Sequence, residues 1–135
     1  MKSLEVGAHL DSLKAVQEFV IPDVEAMNGS EELIQDIKLV LEEVFTNIVF
    51  YAYPGAAGTV RLTCFWGPEG TCCIGFEDNG IPFNPLEFHD VDLEQEFSER
   101  EIGGLGIHLV KRLAHEVRYR REGQSNILIV CFRID

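Results

Sequence analysis

Three groups of residues in this chain have the types and spacing for chemistry. Glu43 and Asn47 lie four residues apart in the run Leu41-Glu42-Glu43-Val44-Phe45-Thr46-Asn47-Ile48, a spacing that stacks a carboxylate and a carboxamide one turn apart on one helix face. Asp78-Asn79-Gly80 closes a strand-like run, and Gly103-Gly104-Leu105-Gly106 leads into the periodic stretch Ile107-His108-Leu109-Val110-Lys111-Arg112-Leu113-Ala114. A carboxylate on an inward-facing row is costly unless a donor meets it. Glycines at a helix entry expose backbone N–H groups at its positive end, an anion site that needs no basic side chain. Each group also has a plain explanation: solvated helix residues, a turn aspartate, a tight helix entry.

The elements that must position them can be read from periodicity. Leu33, Ile37, Val40, Leu41, Val44, Ile48 and Ala52 recur at three- and four-residue spacing, the apolar stripe of a helix beginning near Ser30. Glu43 and Asn47 fall roughly 80–120° from its centre, on the flank, which suggests a pocket wall. Ser30 with Glu31 and Glu32 suits the helix start, and Tyr53-Pro54-Gly55 stops it. Earlier, Ser3 to Val6 is extended, and Asp11 or Ser12 can cap a helix carrying Leu13, Val16, Phe19 and Val20. Pro22 either kinks that helix or opens a second one.

Val60, Leu62, Cys64 and Trp66 alternate with Thr59, Arg61 and Thr63, and after Gly67-Pro68-Glu69-Gly70 a second strand runs from Thr71 to Asp78, so the two form a hairpin. Cys72, Ile74, Phe76 and Asp78 share its inward row. Ile81 to Ile102 contains Pro82 and Pro85 and is acidic from Glu87 onward apart from Arg100; a loop of this length reads as a lid. Glu116 to Arg121 and Ile127 to Ile134 form a last hairpin turning at residues 122–126, its final strand apolar enough on both faces to lie inside the sheet.

Composition narrows the classes. With 135 residues and 46% hydrophobic content, one domain, 1–135, with its own core is expected. The formal charge of −12 argues against a nucleic-acid surface. No apolar run approaches the roughly 18–20 residues that span a bilayer, and the N-terminus does not open a signal peptide, so no membrane association and a cytoplasmic location are expected. Cys64, Cys72, Cys73 and Cys131 lie in strand-like runs without a C-x-x-C pair, which reads as buried, reduced thiols. His9, His89, His108 and His115 lack metal-ligand spacing. The glycine run has no G-K-[ST] and is not a Walker loop.

Taken in order, Glu43 with Asn47, Asp78 with Gly80, and Gly104 with Gly106 match E-x-x-x-N, D-x-G and G-x-G. Here the chain resembles the Bergerat-type ATPase and kinase superfamily, and most closely the stand-alone bacterial anti-sigma factor serine/threonine kinases. The resemblance runs from about Ser30 to the C-terminus. It implies an α+β two-layer sandwich, a mixed, mostly antiparallel sheet with helices on one face.

It also implies ATP and Mg²⁺ as cofactors. Asn47 would be the metal ligand and Asp78 the acceptor for the adenine amino group. Gly80, Gly103, Gly104, Leu105, Gly106 and Ile107 would line the nucleotide, and Glu43 would be the catalytic base. The implied partners are an anti-sigma factor antagonist bearing the acceptor serine and a sigma factor or other regulatory protein. Relatives often carry a basic residue directly before the glycine loop, where this chain has Glu101-Ile102, and Arg100 is the candidate to reach the phosphate instead. Relatives often have histidine at the position of Tyr51. The alternative is a non-catalytic module in which nucleotide gates protein binding. Leu39, Val49 and Phe50 lie off the main stripe, which leaves room for cover by the lid or by a second subunit of a homodimer.

Overall fold

Ser30 starts the central helix as its residue type requires: its hydroxyl accepts the Leu33 N–H at 3.0 Å, and Glu31 and Glu32 follow in the first turn. Such a cap stabilises a helix by about 1 kcal/mol. In the computed structural model, which describes residues 1–87 and 104–134 (backbone alone for 87 and 104–106), the elements are β1 (Lys2–Gly7), α1 (Leu13–Ala26), α2 (Glu31–Tyr51), β2 (Thr59–Trp66), β3 (Thr71–Asp78), α3 (Gly104–Leu113), β4 (Glu116–Glu122) and β5 (Ser125–Arg133). Most of the expected lid, residues 88–102, lies outside the described residues.

Among the described residues the five strands form one sheet in the order β1-β2-β3-β5-β4, and every pairing is antiparallel. This is the open α+β two-layer arrangement expected. β5 lies between β3 and β4, as its two-sided apolar pattern requires. Its hairpin with β4 is tighter than expected, because Glu122 already pairs with Ser125 and only Gly123 and Gln124 remain in the turn. Gly123 takes a φ of 61°, the left-handed value a two-residue hairpin demands.

The helices cover one face of the sheet. Val60, Leu62, Ile74, Phe76, Leu128, Val130 and Phe132 from the strands form one cluster with Val16, Val20, Ile37, Leu41, Phe45, Ile107 and Val110 from the helices. Each such side chain contributes roughly 1.5–3 kcal/mol by leaving water. On α2 the buried stripe is wider than the sequence suggested: Ile34 and Phe45 belong to it, Leu33 only borders it, and Asn47 is within it at 5% exposure. The opposite sheet face carries exposed ion pairs, Arg118–Glu116 at 3.1 Å and Arg120–Glu122 at 3.3 Å, which contribute little in water.

Three local expectations are corrected. α1 runs through Pro22 without ending, the proline lying well past its first turn, so no second helix opens there. Its start has no side-chain cap, because a preceding 3-10 turn, Leu10–Ser12, leads into it and the Leu13 N–H bonds to the Leu10 carbonyl. Cys73 and Cys131 are not reduced thiols but a disulfide. They stand directly opposite on β3 and β5 with Cα atoms 4.1 Å apart, the close spacing of an antiparallel pair. Cys64 and Cys72 remain free and buried, and burial raises their thiols to about 12 and about 11. Among the described residues no helix is long and apolar enough to cross a membrane.

Candidate functional site

The expected site residues arrive from three separate elements. α2 supplies Glu43 and Asn47, the end of β3 supplies Asp78, and the first turn of α3 supplies Gly104, Leu105, Gly106 and Ile107. Asn47, Asp78 and Ile107 line one cleft, whose apolar walls include Val44, Ile48, Phe76 and Leu128. Glu43 is half-buried just outside this lining. Gly104 to Gly106 lie inside the helix rather than before it. Arg100 and Gly103 lie outside the described residues.

Asn47 is almost fully buried, and its side-chain Nδ2 has no hydrogen-bond partner among the described residues. A buried amide donor left open costs about 1–3 kcal/mol, so such a group marks a place where something else is to be met. At the other wall, Asp78 is 5% exposed, and its Oδ1 accepts from the Gly80 N–H at 2.9 Å and from Asn126 Nδ2 at 2.9 Å. Oδ2 has no partner among the described residues. Desolvation raises the Asp78 pKa, opposed by the hydrogen bonds from Asn126 and Gly80 and the charge of Arg121, and Glu77 pushes it further up. The Glu43 pKa is raised too, first by burial and then by its neighbour Glu42.

Backbone contacts hold the loop after β3 against α2. The last turn of α2 leaves free carbonyls, and that of Ala52 accepts the Ile81 N–H at 2.9 Å. The Tyr53 hydroxyl donates to the Thr59 carbonyl at 2.6 Å and accepts the Asn79 N–H at 2.8 Å. Arg121 donates to the Gly80 carbonyl at 2.9 Å. Tyr51, one turn beyond Asn47, stacks on Phe83 with ring centroids 5.3 Å apart, an aromatic pair beside the cleft that Phe83 lines.

Sequence reading missed Asn126, Tyr119, Tyr53, Phe83 and Arg121. The sequence pattern places Asn126 in a turn, whereas it opens the inward row of β5, in register with Asp78. A polar residue on an inward row was the available signal, the same one that picked out Asp78. The others act through contacts between distant segments and left no local trace.

An antiparallel sheet with helices on one face, and a cleft bounded by a buried amide, a strand-end carboxylate and a glycine-rich helix start, defines the Bergerat class of nucleotide-binding fold. The chain belongs to the histidine kinase-like ATPase domain family, whose sequence model matches residues 6–132. Among known proteins it is similar to serine-protein kinase RsbW of Listeria monocytogenes, 29% identical over 104 residues that cover 73% of this chain and 66% of that protein. The corresponding Listeria innocua protein is 28% identical over the same coverage. The chain thus spans just under two-thirds of these relatives' length. Among solved structures, the RsbU and RsbW domains of Rv1364c from Mycobacterium tuberculosis share the fold with a TM-score of 0.65 at 14% identity, covering 99% of this chain and 33% of that one. The histidine kinase domain of the Erythrobacter litoralis EL346 blue-light activated histidine kinase matches with a TM-score of 0.56 at 21% identity, over 90% of this chain and 61% of that one.

Proposed function

We propose that this domain binds ATP with Mg²⁺ in the cleft between α2, α3 and β3 and phosphorylates a serine or threonine of a partner protein. In this reading it is an anti-sigma regulatory factor whose substrate is an anti-sigma factor antagonist, and a sigma factor and a second copy of the chain are its other partners. The observation that carries it is the placing of Asn47 and Asp78 on the lining of one apolar cleft, with Oδ2 of Asp78 unpaired among the described residues. The likeness to the Listeria serine-protein kinases supports the choice of acceptor.

Each residue has a task its chemistry suits. Asp78 Oδ2 accepts from the adenine amino group while Val44, Ile48, Phe76 and Leu128 hold the ring. The N–H groups of the first turn of α3, Gly104 to Ile107, which a helix start leaves without intrahelical partners, take phosphate oxygens without any basic side chain. The carboxamide oxygen of Asn47 is a hard donor of the kind Mg²⁺ accepts alongside water and phosphate. Bound there, the ion would neutralise phosphate charge. Glu43, one turn earlier on α2, takes the proton of the attacking hydroxyl, and the burial that raises its pKa brings it closer to working pH.

A second reading, a nucleotide-gated binding module without transfer, is favoured by the sequence directly before the glycine run, where relatives often carry a basic residue and this chain has Ile102. Calorimetry of ATP binding with and without Mg²⁺, on the native chain and on Asn47→Ala, tests the assignment. The kinase reading expects Mg²⁺-dependent binding that Asn47→Ala loses, together with phosphate transfer to a serine-bearing protein. Binding with no transfer to any acceptor favours the gated module, and no binding removes both.

A further inference from the structure

Asp78 and Asn126 stand opposite each other in register on β3 and β5, both facing inward and both 5% exposed. A carboxamide has two donor and two acceptor positions, and Asn126 fills all four within the chain. Its Oδ1 accepts from the Tyr119 hydroxyl at 2.5 Å and from the Phe83 N–H at 3.2 Å. Its Nδ2 donates to Asp78 Oδ1 at 2.9 Å and to the Ile81 carbonyl at 2.8 Å. Turning the amide over would set its oxygen against two acceptors and its NH₂ against a backbone N–H, so the partners dictate the orientation. Nothing on Asn126 is left for a ligand.

The consequence falls on Asp78. Rotation of a carboxyl about its last torsion is soft, but Oδ1 is held by two donors from different segments, Gly80 and Asn126. Oδ2 is thereby set as an acceptor at the cleft wall.

We infer that Asn126 is a positioning residue for base selection: by holding Asp78 Oδ1 it fixes Oδ2 as the acceptor that favours a purine bearing an exocyclic amino group. This rests on the reading that Asp78 receives that amine. Tyr119 acts one bond further out, its hydroxyl fixing the amide that fixes the carboxylate.

The test compares ATP with purine riboside triphosphate, the same nucleotide without the amino group, by calorimetry. The native chain is expected to prefer ATP by about 10- to 100-fold, the worth of one hydrogen bond to a charged acceptor. Asn126→Leu is expected to bring the ratio to within about threefold of unity. Tyr119→Phe removes one hydroxyl and little volume; it is expected to lower the ratio by about threefold, and it keeps the test decisive should Asn126→Leu not fold. A purely structural role would weaken both nucleotides by the same factor and leave the ratio intact, and that result would overturn the inference. Equal binding of the two nucleotides by the native chain is a different failure: it overturns the Asp78 reading itself, and this inference with it.

Discussion

A methyl group on Gly80 would lie 2.1 Å from the carbonyl oxygen of Ala52. The loop after β3 therefore rests directly on the last turn of α2, with the Ile81 N–H bonded to that same carbonyl. Asn47 and Asp78 come from these two elements, and this backbone contact is one of the ties that hold them across one cleft. Gly80→Ala should force the two apart and cost about 1–3 kcal/mol of overpacking, read as a lower midpoint in urea. ATP affinity should fall with it, although the variant removes no group that touches nucleotide.

Glu43→Gln should leave ATP affinity within about twofold while lowering phosphate transfer by about 10²–10⁴-fold. The pH dependence gives a second handle. A base works only when deprotonated, and burial with Glu42 raises the Glu43 pKa. The transfer rate should therefore rise with pH along an acid limb placed above the usual carboxylate range, and Glu42→Gln should move that limb downward. Transfer unchanged in Glu43→Gln would remove the base assignment.

Asp78 makes the apo protein less stable at neutral pH than it would otherwise be. Its folded-state pKa is raised, chiefly by desolvation, so the folded chain holds this proton more tightly than the unfolded one. The contribution to stability is present below the unfolded value and is lost as pH rises through the folded value. Asp78→Asn keeps an oxygen for the Gly80 and Asn126 donors and removes the buried charge. The apo variant should melt about 2–4 °C higher at neutral pH, converge with the native chain in acid, and lose ATP binding.

The Cys73–Cys131 bridge closes a sequence separation of 58 residues. Cys73→Ser should lower stability by about 2–4 kcal/mol in urea denaturation, and dithiothreitol should have the same effect on the native chain but none on the variant. Cys64 and Cys72, with thiols raised to about 12 and about 11, should label with a thiol reagent only as the protein unfolds.

Much of the scaffold was legible along the chain because it depends on neighbours in sequence. The period of α2, the Ser30 cap, the alternation of β2 and β3 and the two-sided apolarity of β5 are local patterns. Each constrains the backbone where it occurs. The candidate residues Glu43, Asn47, Asp78 and Gly106 were legible for the same reason, as unusual types at regular positions on those elements.

What only the tertiary structure decided are relations between strands and segments far apart in sequence. Asn126 reads as a turn residue until β5 is laid in register against β3, and Cys73 and Cys131 read as two separate buried thiols until the same register sets them face to face. Antiparallel pairing can slip by residues at little local cost, and the packing of both strands against the helices selects one alignment. Tyr53 is similar: its hydroxyl joins residues 59 and 79 only after α2 and the strands have packed. Sequence by itself determined which elements form and which residues on them are chemically conspicuous. The fold decided which side chains hold those residues in place, because hydrogen bonds and sulfur bridges across strands depend on distances that no local pattern encodes.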